Sequence, residues 1–197
     1  AVYSINRLNP EALCFVLPEE SKALVESDIQ PKIQQMPRRW DWIVMADVME
    51  FPSLYQTMAR SLPDLLRTWE VQPGELVVDL SGATPAMASA LTLVALPWTS
   101  RVVELARARD GQEGDRIELG TKTVVWTQSN PWDEQSTVSR REGCELFNRG
   151  LFHAAAKLFH GAELRVSGGH KPLYRAFTDL AEGYEFWERF QYRQAWD

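Results

Sequence analysis

The sequence predicts an α/β fold: a mostly parallel sheet with helices on both faces, followed by a small all-helical repeat-like segment. Three observations carry this. Short apolar runs suited to buried strands alternate with stretches of helical spacing. One of those runs, ending Val77-Val78-Asp79-Leu80, passes through small turn-forming residues directly into a helix start. After Asn130-Pro131 the pattern turns helical to the end. Strands that alternate with helices pair in parallel, because each helix returns the chain to the edge where the next strand begins.

The elements follow in order. Ala1 to Leu8 suits a short helix that stops at Asn9-Pro10, since a residue before proline is pushed out of helical angles. Ala12 to Leu17 is a compact apolar strand. Pro18-Glu19-Glu20-Ser21 then opens a helix expected from Glu19 to Gln35, kinked at Pro31. Asp41 to Asp47 is the next strand, and Ser53 to Trp69 is a helix with Leu54, Thr57, Met58, Leu62, Leu65 and Leu66 at helical spacing. Pro73-Gly74 turns into a strand from Glu75 to Leu80. Pro85 to Leu96 is a helix whose Ala86, Ala88, Ala90 and Ala95 let it lie close against a sheet. Arg101 to Ala106 and Thr121 to Thr127 are further strands, with a charged, Gly-rich loop from Arg107 to Gly120 between them. A doubly wound sheet that begins on a helix lacks its first, central strand. The chain is therefore expected to be a fragment.

The expected organisation is a sheet domain over residues 1–127, a linker over 128–137 rich in turn residues, and a helical domain over 138–197. The helical part contains an echo. Phe147-Asn148-Arg149-Gly150-Leu151-Phe152-His153-Ala154-Ala155 aligns with Trp187-Glu188-Arg189-Phe190-Gln191-Tyr192-Arg193-Gln194-Ala195, so aromatic, Arg, aromatic and Ala recur forty positions apart. Stacked helical hairpins with repeats of about 34 to 47 residues bury such positions against one another. Chance recurrence is the other reading.

Composition narrows the function. With 45% hydrophobic and 24% charged residues, the chain can bury a real core. A net charge of −6 argues against duplex DNA binding, which needs a broad basic footprint. No apolar run approaches the roughly 18 to 20 residues that span a bilayer. Two cysteines, Cys14 and Cys144, are too few for a disulfide framework, so the expected location is cytoplasmic. The eight tryptophans share no spacing and read as packing residues.

No catalytic set appears. His153, His160 and His170 lack Cys, Asp or Glu at ligand spacing, so no metal site is expected. Pro85 stands where a Walker loop needs Gly-Lys, and there is no Gly-x-Ser-x-Gly elbow. Arg165 and His170 have a nuclease-like separation, but Val166-Ser167-Gly168-Gly169 between them breaks any helix. The loop after Val78 remains. Asp79 can accept from loop amides, Gly82 can supply positive φ, Ser81 and Thr84 offer hydroxyls, and Pro85 suits a first helical turn. Two readings stay open: a well-made turn capped by Thr84, or a seat for a phosphate-rich or nucleotide ligand.

The segment Asp79-Leu80-Ser81-Gly82-Ala83-Thr84-Pro85-Ala86-Met87 resembles the Asp-x-Ser/Thr-Gly-Gly-Thr-x-x-Met signature of the CRISPR-associated Rossmann-fold (CARF) domain. Phe147 to Phe152 and Ala155 to Phe159 are similar to the helical region that follows it in a family of type III CRISPR accessory proteins. The resemblance implies a Rossmann-like homodimer that senses cyclic oligoadenylate, needs no other cofactor, and regulates an effector domain in antiviral defence. It places Ser81, Gly82, Ala83, Thr84, Pro85 and Met87 on the ligand, with Asp79 bracing the loop. Two positions depart from the family pattern. Ala83 replaces a second glycine, and Pro85 stands where relatives that cleave the ring have lysine, which implies sensing over cutting. The alternatives are a ring nuclease, an unrelated Rossmann enzyme that binds a nucleotide or S-adenosylmethionine, and a purely structural or interaction protein whose repeat-like tail binds a partner; for a methyltransferase, Glu104 within its strand fits only weakly.

Overall fold

A computed structural model describes residues 1–108, 114–119 and 122–196. The elements run α1 (Val2–Leu8), β1 (Ala12–Pro18), a short α2 turn (Lys22–Leu24), β2 (Arg39–Met45), α3 (Phe51–Thr68), β3 (Leu76–Asp79), α4 (Pro85–Ala95), β4 (Thr99–Arg107), β5 (Asp115–Leu119), β6 (Lys122–Ser129), α5 (Pro131–Asn148), α6 (Phe152–Glu163), α7 (Lys171–Glu188) and α8 (Tyr192–Trp196). The chain divides into two units, one comprising Ala1–Gln72, Leu76–Pro97 and Val102–Ser129, the other Pro73–Glu75, Trp98–Arg101 and everything from Asn130 onward.

The first unit is the α/β part. β1 and β2 pair in parallel, Phe15 opposite Trp42 and Val16 opposite Ile43. β3, β4, β6 and β5 form a four-stranded sheet in that order, with β4–β6 and β5–β6 antiparallel. Helix α1 serves both sheets. Its Ile5 packs with Phe15, Leu17 and Ile33, while Ser4 Oγ accepts a hydrogen bond of 3.2 Å from Trp126 Nε1 of β6. Asn9 ends α1 in the left-handed region at φ 44°, a conformation asparagine tolerates well.

Three expectations need revision. The helix expected from Glu19 to Gln35 is broken into a 3₁₀ turn, the single α-turn α2, a π-turn over Val25–Ile29 and a second 3₁₀ turn. Pro31 cannot donate the bond a continuous helix would need there, and its ring crowds the carbonyl one turn back. Part of the stretch expected as a loop from Arg107 to Gly120 is strand β5, paired along β6 from Asp115 opposite Trp126; residues 109–113 and 120 of that stretch lie outside those described. Residues 128–137, expected as a linker, are the end of β6, the cap Asn130 and the opening turns of α5. Asn130 Oδ1 accepts from the Trp132 amide at 3.0 Å, so its turn chemistry starts a helix.

Helix α3 shows why the spacing was readable. Leu54, Met58, Leu62 and Leu66 recur every four residues and are all buried. Met45, Leu54, Met58, Val103 and Val125 are the largest fully buried apolar side chains of this unit. Ala90 and Ala95 of α4 are fully buried, as expected of a helix lying close on a sheet.

The helical unit packs Ala155, Ala156, Phe159, Ala162, Val166, Tyr174 and Ala181 around the α6–α7 seam. Both copies of the forty-residue echo contain a left-handed helix end, a corner that Glu70 at φ 57° also makes after α3. Gly150 at φ 75° and Phe190 at φ 59° occupy the same left-handed corner position. At the first corner Leu151 N–H donates to Leu146 O at 3.0 Å, and at the second Gln191 N–H donates to Phe186 O at 2.9 Å. Each helix thus ends in the same hydrogen-bonded reversal.

Candidate functional site

The Asp79–Met87 segment forms the tight connection from β3 to α4. Leu80 N–H still donates to Val103 O of β4 at 2.9 Å, which fixes the strand end. The Ser81 amide then donates to Asp79 Oδ1 at 2.8 Å. Asp79 Oδ2 is buried, takes no hydrogen bond among the described residues, and lies 3.8 Å from the α-amino group of Ala1. Asp79 therefore braces the loop, as the resemblance implies.

The turn closes when Ala83 N–H donates to Leu80 O at 3.1 Å. Gly82, at the third position, has φ 85°, and nothing lies within 4 Å of where its Cβ would be. Glycine is required there by backbone angle and not by crowding. Ala83 is not among the positive-φ residues, so its methyl sits on ordinary backbone and the loss of a second glycine is accommodated.

Thr84 is the N-cap of α4. Its Oγ1 accepts from the Met87 amide at 3.2 Å and donates to Val48 O, in the loop after β2, at 2.8 Å. Pro85 occupies the first helical position, where its lack of an N–H costs nothing. Ser81 Oγ accepts from the Leu105 amide of β4 at 2.9 Å. The two hydroxyls that sequence reasoning singled out thus hold the loop in place, and Met87 is buried against the core. Gly82 and Pro85 are exposed, Ser81, Ala83 and Thr84 half-buried.

The amides of Gly82, Thr84 and Ala86 donate to no acceptor among the described residues, whereas those of Ser81, Ala83, Met87 and Ala88 are taken. Free amides at the mouth of a helix receive negative charge well. The participation of the β2–α3 loop was missed in the sequence. Its only signal is Val48, Met49 and Phe51, apolar residues placed between a strand end and a helix-starting proline.

Of the other candidates, Arg165 lies with its guanidinium 4.7 Å from the Trp132 ring centre and donates to Gly161 O at 3.1 Å; burial lowers its pKa. It is a packing residue of the helical unit. No group of His, Cys, Asp or Glu that could hold a metal ion occurs among the described residues. No helix among them is long and apolar enough to cross a membrane.

Comparison with known proteins now adds to this geometry. Residues 136–197 match the Csm6 6H domain. The structure of Enterococcus italicus Csm6 bound to cyclic hexa-2'-fluoro-hexa-dAMP shares the fold, with a TM-score of 0.68 at 10% sequence identity over 97% of this chain. The chain spans about half of that protein, 51% of its length. No curated protein sequence matches it. The 6H match runs from within α5 through α8, and the shared fold extends to the α/β unit.

Proposed function

We propose that this protein senses cyclic oligoadenylate in type III CRISPR antiviral defence and uses ligand binding to regulate an effector domain. The observation that carries the reading is that the amides of Gly82, Thr84 and Ala86 donate to no acceptor among the described residues, in a loop held by hydrogen bonds of Asp79, Ser81 and Thr84. These amides offer a ring of phosphates neutral donors aligned with a helix N-terminus. The similarity to Csm6, solved with a cyclic hexanucleotide analogue bound, supports it. In this reading two subunits share one ring across a two-fold axis, so that each presents the same donors to one half. The loop of a first strand in the family pattern completes the pocket.

The loop from Ser81 to Ala86 carries no cationic or titratable side chain. It can hold a phosphate but cannot shuttle a proton or supply a cation to the charge that develops when a ribose 2′-hydroxyl attacks. The reading is therefore a sensor that retains its ligand. Calorimetry with cyclic tetra-adenylate, cyclic hexa-adenylate and S-adenosylmethionine tests it. Binding of one ring and not of S-adenosylmethionine is expected; failure of both rings on folded protein would sink the sensor. Incubation with the bound ring should leave it circular, and efficient release of linear products would show a ring nuclease instead.

A further inference from the structure

We infer that Met49, Phe51 and Tyr55 form a stacking surface for a purine base of the ring whose phosphates rest on the Gly82–Ala86 amides. The inference deepens the sensor reading and rests on it. Its starting point is the 2.8 Å hydrogen bond from Thr84 Oγ1 to Val48 O, which joins the loop after β2 to the loop after β3. Met49 follows Val48 directly. Its amide is held by Asp47 Oδ1 at 2.7 Å, and its side chain is 73% exposed. Phe51 and Tyr55, one helical turn apart at the start of α3, are 39% and 41% exposed, with ring centres 6.0 Å apart and planes tilted by 27°.

Phe51 and Tyr55 lie at the N-terminal end of the face that carries the buried Leu54, Met58, Leu62 and Leu66, and unlike those four they keep part of each ring exposed. Three exposed apolar side chains beside a polar loop match a nucleotide's two halves: the base is a flat apolar disc, the phosphate an anion. Charge assigns which half goes where. Asp47 and Glu50 are exposed carboxylates in the β2–α3 loop and repel a phosphate, while the free amides across the Thr84–Val48 bond attract one. The uncharged base is the half this rim accepts. Base-on-aromatic contacts of this kind tolerate different geometries and contribute through ring area and not through edge hydrogen bonds.

The test uses the full chain and cyclic hexa-adenylate carrying one 2-aminopurine, whose fluorescence is quenched on stacking. The unmodified protein should bind and quench. Phe51→Ala and Tyr55→Ala should each weaken binding about tenfold and restore emission, whereas Tyr55→Phe, which keeps the ring, should bind within about twofold of the parent. Circular dichroism checks that each variant is folded, and if either alanine variant is not, Phe51→Leu serves in its place. Binding with unchanged affinity and quench in the alanine variants would overturn the stacking surface and leave the sensor standing. So would unchanged affinity with an altered oligomer mass, because the rim would then be a contact between copies of the chain. Absence of ring binding by the unmodified protein would overturn both.

Discussion

The hydroxyl of Thr84 donates to the carbonyl of Val48 at 2.8 Å while accepting from the amide of Met87 at 3.2 Å. One side chain thus caps helix α4 and ties together the loops that follow β2 and β3. Thr84→Val keeps the shape and removes both bonds. It should cost about 1–2 kcal/mol in urea unfolding and weaken cyclic hexa-adenylate binding, because the loop loses its anchor. Thr84→Ser retains both bonds and should stay within about 0.5 kcal/mol.

Two glycines are required for opposite reasons, and alanine separates them. Gly82→Ala meets no neighbour but forces a Cβ onto φ 85°, at a cost of about 1–2 kcal/mol. Gly143→Ala is on ordinary helical backbone, yet its Cβ would lie 2.4 Å from Phe159 Cε1. Phe159 is buried, so the clash should cost about 1–3 kcal/mol. Combining Gly143→Ala with Phe159→Leu should destabilise less than the sum of the two single changes, since they share one contact. Chemical denaturation of the four variants checks both statements.

Phe190 sits at φ 59° in the corner that Gly150 fills forty residues earlier, and it is largely exposed. Phe190→Gly should relieve the left-handed strain and raise stability by about 0.5–1 kcal/mol, after the greater freedom glycine has in the unfolded chain. Phe190→Ala keeps a Cβ and should give no such gain. Thermal melts of the pair distinguish the backbone effect from loss of the ring.

Burial in strand β1, reinforced by the charge of Asp41, pushes the Cys14 thiol up to about 12 from an ordinary value of 9.0. The folded state therefore holds this proton more tightly than the unfolded state. Its contribution to stability is complete below pH 9 and is lost as pH rises from 9 towards 12. Denaturation midpoints should fall over that range, and Cys14→Ala should flatten the slope. At neutral pH, a thiol reagent should modify the exposed Cys144 first.

The fold class was legible because it rests on local pattern. The four-residue recurrence of Leu54, Met58, Leu62 and Leu66, the apolar runs of β1 and β3, and the Thr84-Pro85 helix start each act within a few residues of themselves. Strand β5 was not legible, because Asp115-Arg116-Ile117-Glu118-Leu119 acquires its meaning only from the ladder along β6. The break of the expected helix after Glu19 was half-legible: Pro31 announced a defect, but not that the preceding turns would tighten and widen around it.

The candidate site divides in the same way. By itself the sequence determined the turn: a strand ending in Asp79, a glycine at the left-handed position, and a capped helix entered through Pro85. Those choices are set by dihedral angles and by hydrogen bonds that reach two or three residues. Only the tertiary structure decided what the residues face. It engaged the Ser81 hydroxyl with β4 and the Thr84 hydroxyl with Val48, buried Met87, left three amides without an acceptor among the described residues, and tied the loop that leads into Met49 and Phe51 to this one. The reason is physical: a hydroxyl or an amide takes whichever partner the fold brings within about 3 Å, and partners 24 and 36 residues away are chosen by packing and not by spacing.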